Sequence, residues 1–224
     1  MRVNVLQQTS NEGPGMIADW AQARGHQLFV YHPDQFGHLP TAAGTDMLVI
    51  LGGPMSPNDD LQWIAQERVL IRQLLDRHVP LFGACFGAQQ IAKVLGGTVT
   101  KAPAKEVGWA PVYRQTTTIP GIPPELSVLH WHEEMCTIPV GGERLFSSER
   151  VPNQGFVWGH HVIGLQFHFE PKPANVREMV VNDYPYIAGS ALGQTAQEIM
   201  TRPVPPENAA ALFTLLDYVT APDD

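Results

Sequence analysis

Ten residues, Pro80-Leu-Phe-Gly83-Ala84-Cys85-Phe86-Gly87-Ala88-Gln89, limit what this chain can become more than any other stretch. Pro80–Ala84 reads as a buried strand, the small residues as a tight turn with Cys85 at its apex, and Gln89–Leu95 as a helix closed by Gly96-Gly97. This is the strand–turn–helix shape of a nucleophile elbow, where bulk beside the apex would clash. The turn also aims the sulfur at a helix N-terminus, where unpaired N–H groups and the helix dipole favour thiolate over thiol. The competing reading is a buried structural cysteine between strand and helix, the usual fate of a lone cysteine.

The surrounding pattern suits such an elbow. Val3–Leu6, Gln27–Tyr31 and Asp46–Leu51 read as strands, Met16–Arg24 as a helix between the first two, and Trp63–Arg77 as a helix before Pro80. The run DMLVIL is nearly all apolar, as expected when both faces of a strand are covered. The expectation is an α/β fold, a doubly wound, mostly parallel sheet with helices on both faces. Beyond it the pattern weakens. Thr116–Ser127 reads as a loop, Val128–Trp131, Val157–Trp158 and Val162–Phe169 as strands, residues 171–206 as holding some helix, and Ala209–Val219 as a last helix. No repeat or linker divides the chain, so one domain is expected over residues 1–224.

Charge and cysteine content narrow the function classes. Fourteen Lys and Arg against twenty-two Asp and Glu give a net charge of −8, which argues against a nucleic-acid or anionic-membrane partner. Two cysteines, Cys85 and Cys136, make no disulfide framework and suit a reducing compartment. Cys136 reads as a buried thiol. The N-terminus turns polar too soon for a signal peptide, and no run reaches the roughly 18 apolar residues of a membrane span. A cytoplasmic protein is expected.

A cysteine nucleophile needs a base, and the base needs an orienting group. Gly164-Leu-Gln-Phe-His168-Phe-Glu170 offers both, because residues two apart on a strand share a side. Taken alone, His-x-Glu more often is a satisfied histidine beside a solvated glutamate. Leu51-Gly52-Gly53-Pro54 ends the neighbouring strand, and the N–H of Gly53 with that of Phe86 could hold a developing oxyanion. Gly-Gly-Pro alone is a weak signal and usually a turn. It is no phosphate loop, since no Gly-Lys-Ser/Thr follows.

Together with Glu106-Val-Gly-Trp109 and Trp131-His132, these motifs resemble, in order, those of the class I (triad) glutamine amidotransferases, in particular stand-alone GMP-synthase-like members. The resemblance spans about residues 3–170. It implies a flavodoxin-like fold, Cys85 as nucleophile, His168 as base, Glu170 as its orienter, Gly53 and Phe86 as the oxyanion hole, and Gln89 in the glutamine pocket. It implies a small-molecule γ-glutamyl substrate and no cofactor. Ammonia-accepting chemistry would lie on a synthetase partner on another chain, as no ATP-binding loop is present. The sequence departs from the family twice. Phe169 replaces the usual proline between His and Glu, which would loosen the strand end. Glu133-Glu134-Met135 replaces Gly-Asp; these carboxylates either favour a substrate carrying an amino group or face solvent, and the solvent reading is preferred.

Three functions stay open: hydrolysis of the glutamine γ-amide, hydrolysis of other γ-glutamyl bonds such as those of γ-glutamyl peptides, and ligand binding without catalysis. His130, His132, Glu133, Glu134 and His160-His161 are residue types that ligate metals, but strand neighbours alternate faces and no zinc-type spacing appears, so no metal is expected. Trp63 and Trp109 read as packing residues.

Overall fold

The computed structural model describes residues 1–222. Each apolar run of the first half becomes a strand and each amphipathic one a helix. The order is β1 (Arg2–Leu6), α1 (Gly15–Ala23), β2 (Gln27–Tyr31), α2 (Pro33–Phe36), β3 (Met47–Ile50), α3 (Gln62–Leu75), β4 (Leu81–Ala84) and α4 (Phe86–Val94). The second half continues with β5 (Val99–Arg114), β6 (Glu125–Cys136), β7 (Gly142–Ser147), β8 (Gly155–Trp158) and β9 (Val162–Leu165). It closes with α5 (Pro173–Asn182), α6 (Ala196–Thr201) and α7 (Pro206–Thr220).

Among the described residues the strands form one sheet in the order β2-β1-β3-β4-β9-β8-β7-β5-β6. From β2 through β9 the pairings are parallel, and from β9 to β6 they are antiparallel. Strand periodicity divides the core. Val3, Val5, Met47 and Val49 pack with Trp20 of α1 and Leu212 and Leu215 of α7. The intervening Leu6, Leu48 and Ile50 pack with Ile71 and Leu74 of α3 and Ile91 of α4. This is the doubly wound, two-faced α/β arrangement expected. A third cluster, Trp109, Leu129, Val176, Met179 and Ile199, seats α5 and α6 on the β5–β6 hairpin.

Several expected boundaries move. The run Thr116–Ser127 is not all loop, because β6 begins at Glu125. Both β5 and β7 lie outside the expected strands. The α4 helix begins at Phe86, directly after the elbow, rather than at Gln89. The final helix starts three residues early, with Pro206 at its first position, where a missing N–H costs nothing. The strand expected over Val162–Phe169 stops at Leu165, and the chain then bends. His168 meets the sheet again only through a single antiparallel bridge to Leu129 of β6.

Candidate active site

The elbow is held by steric necessity. Cys85 sits at φ 49°, ψ −110° between β4 and α4. Among the described residues, only it and His78 have positive φ without being glycine, a conformation that stores strain. A Cβ on Gly83 would lie 2.5 Å from the Ala88 nitrogen, and one on Gly87 would strike the Ile50 carbonyl oxygen. The two glycines thus let α4 pass directly over the ends of β3 and β4. The Cys85 N–H donates to the Leu165 carbonyl at 2.7 Å, tying the elbow to the end of β9.

That tie brings in the candidate base. Past the bend, the His168 N–H donates to the Leu129 carbonyl at 2.9 Å. The spacing of two survives the loss of regular strand: His168 Nδ1 is 2.6 Å from Glu170 Oε1, and both side chains are buried. Burial works against an imidazolium at His168, but the charge of Glu170, helped by Cys85, outweighs it and holds the pKa well above the ordinary histidine value. His168 Nε2 is buried and, apart from the Cys85 thiol that helps raise its pKa, has no hydrogen-bond partner among the described residues. Phe169, in place of proline, is also buried. It packs edge-on against Phe167 at 4.8 Å and Phe146 at 6.2 Å, so aromatic packing anchors this segment where the loss of proline predicts loosening.

Other expected groups gather around the sulfur. Gln89 Nε2 donates to Gln166 Oε1 at 3.1 Å, and Gln166 Nε2 donates to Cys85 Sγ at 3.7 Å. Gly53 and Gln89 line a solvent-open cleft of about 680 Å³ above Cys85. Phe86 is the first residue of α4, where an N–H has no partner within the helix. Glu133 and Glu134 also line the cleft. The solvent-facing reading holds for Glu133, which is exposed on the cleft rim, and is corrected for Glu134, which is half-buried and accepts from Ser56 Oγ at 3.2 Å.

Four contributors carry no sequence signal of their own. Glu12 follows β1, and Asp183 and Tyr186 come from the irregular stretch after α5, yet all three line the cleft. Gln166 lies inside the His168–Glu170 motif, but nothing in that motif marks it as a partner of the sulfur. The candidate metal-ligating residues divide. Glu106, His130 and His132 converge, with their ligand atoms within 4.8 Å of one another, a donor set that a divalent cation could use. Glu133 and Glu134 join the cleft instead, and the rings of His160 and His161 pack against each other near α7, where Tyr218 meets His160. Burial opposes charge on Glu106, but His132, His130 and Ser148 outweigh it and hold its carboxyl below the usual range. His132 Nδ1 pairs with the Glu134 carbonyl and Gln154 donates to Glu106, so the cluster also braces β6 under the cleft. Cys136 is buried and free, and burial pushes its thiol up to about 12. Trp63 packs on Phe86, and Trp109 is buried with its N–H on the Ile199 carbonyl. No helix of the described residues is long and apolar enough to cross a membrane.

Known proteins resemble this chain in sequence and fold. A family model described as glutamine amidotransferase class-I matches residues 15–184. The glutamine amidotransferase-like protein YfeJ of Salmonella typhimurium is 32% identical over 186 residues, 76% of each chain. A glutamine-hydrolyzing GMP synthase component of Saccharolobus solfataricus is 32% identical over 131 residues, 57% of this chain and 68% of its own. A crystal structure of a glutamine amidotransferase from Methylobacillus flagellatus superposes with a TM-score of 0.86 at 31% identity, over 98% of this chain and 92% of that one.

Proposed function

The chain belongs to the class-I glutamine amidotransferase family, and from that premise we propose that it hydrolyses γ-glutamyl amides, glutamine among them, through a Cys85 thioester. The observation that carries this reading is the strained elbow of Cys85 beside the buried His168–Glu170 pair. Cys85 gives its proton to His168 and attacks the γ-carbonyl carbon, forming the S–C bond. The N–H groups of Gly53 and Phe86 hold the oxyanion, and Gln89 contacts the glutamyl part. His168 then protonates the amide nitrogen as the C–N bond breaks, and ammonia or an amine leaves. Water attacks the thioester with His168 as base, releasing glutamate and restoring the thiol.

Backbone dipoles and the imidazole supply each charge and proton in this sequence, so the reaction is expected to run without added cofactor. The test is glutamate release from glutamine by purified protein, with Cys85→Ala as control. Equal release by the variant overturns the reading. In a second form of it, a synthetase on another chain accepts the ammonia; the similarity to a component of a GMP synthase supports that form. Turnover that appears only when cell extract is added favours it. γ-Glutamyl peptides, cleaved by the same steps, are the substrates to compare.

A further inference from the structure

We propose that the cleft selects γ-glutamyl amides whose departing amine carries a second positive charge, with Glu12 and Asp183 receiving that charge. The inference rests on the hydrolase reading above. Four carboxylates, Glu12, Glu133, Glu134 and Asp183, line the cleft, and no lysine or arginine among the described residues does. Such a wall repels a leaving group that is anionic and attracts one that is cationic.

Glu12 makes the case specific. The residue is 8% exposed and its side chain makes no hydrogen bond within the described residues, yet it opens onto the cleft. A buried carboxylate without donors is costly unless a ligand supplies them. Burial, with the nearby charges of Glu170 and Asp183, raises its pKa to about 7 against the pull of His168. The position of Glu12 decides which part of the substrate it meets. A Cβ on Gly52 would strike Glu12 Oε2 and would lie 2.9 Å from His168 Cε1 and 3.4 Å from Cys85 Cβ, so the three side chains close around one point.

Glu12 therefore stands on the side of the base. His168 delivers the proton to the departing nitrogen, so the amine leaves past Glu12. Asp183 lies further along this wall, with Oδ2 accepting from Trp131 Nε1 at 2.9 Å. The Trp131 and Tyr186 rings, 6.2 Å apart, supply the aromatic surface that a cationic alkylamine favours. Lys105 lies over the Tyr186 ring and donates to the Ala188 carbonyl, outside the cleft lining. Ser56 pairs with Glu134 elsewhere on the cleft lining, which leaves that carboxylate for the α-ammonium of the glutamyl group. Ammonia from glutamine would leave Glu12 and Asp183 unused. A short diamine would occupy them.

The chemistry is unchanged. The S–C bond forms, the C–N bond breaks, its electron pair goes to nitrogen, and His168 supplies the proton. The test compares three probes with purified protein: glutamine, γ-glutamyl-butylamide and γ-glutamyl-1,4-diaminobutane. The expected result is a kcat/KM for the diamine conjugate about tenfold or more above both others, the effect of one close charge pair. Glu12→Gln and Asp183→Asn, made separately, are each expected to shrink the ratio of diamine to butylamide conjugate toward one. Equal rates on these two probes, or faster turnover of glutamine, overturn the proposal and leave the hydrolase reading standing. A ratio unmoved in both variants overturns the residue assignment. No hydrolysis of any probe overturns the hydrolase reading and the proposal together.

Discussion

At the scale of single residues, Cys85 and His168 are bound to different strands but to one hydrogen-bonded unit: the Cys85 N–H rests on Leu165, three residues before the base. The division of labour between His168 and Glu170 follows from it. On the proposed mechanism, His168→Ala removes the group that moves the proton and is expected to slow thioester formation by about three orders of magnitude or more, read by rapid quench. Glu170→Gln keeps a hydrogen-bonding group at 2.6 Å from Nδ1 but loses the charge that sustains the imidazolium, so its loss is expected to be smaller. Full activity of the His168 variant would overturn the triad. Cys85, His168 and Glu170 are legible in the sequence because each sits in a pattern with a steric or spacing logic. Glu12 is not, since an isolated glutamate in a polar loop looks the same whether buried or solvated.

At the scale of elements, α3 and α4 are joined by a buried carboxyl. Glu67 accepts from Gln8 Nε2 at 2.5 Å and from Gln90 Nε2 at 3.0 Å. Burial outweighs these donors and raises its pKa from 4.5 to about 7. Between those values the folded chain holds a proton that the unfolded chain has lost, so stability falls as pH rises from 4.5 to 7 and then levels off. The full effect is up to about 3 kcal/mol. Glu67→Gln is expected to flatten urea-denaturation stability between pH 4.5 and about 7, while Glu12, shifted the same way, keeps part of the slope. An unchanged slope would overturn this account. The β5 strand escapes a sequence reading for a physical reason: Pro103, Gly108 and Pro111 interrupt it, and its register slips between Lys101 and Glu106. Its partner β6 holds it in line, an influence local propensity does not contain.

At the scale of the molecule, the parallel half is legible because buried strands and amphipathic helices announce themselves by length and period. The antiparallel half is legible only in part: the apolar runs of β6, β8 and β9 show in the sequence, whereas β5 and β7 owe their pairing to partners remote in the chain. The β4–β9 pairing, Leu81 with Val162 through Ala84 with Leu165, encloses the whole of β5 to β8 between its two strands. This has a consequence in time. The elbow can form from contiguous residues, whereas its base arrives only after the intervening strands have found their places and the long loop has closed. Refolding is therefore expected to proceed in two stages, with helical circular dichroism returning first and Cys85 labelling by a glutamine-like electrophile later. If the two signals return together, the nucleophile and its base are born in a single event, and the order of strands does not order the assembly.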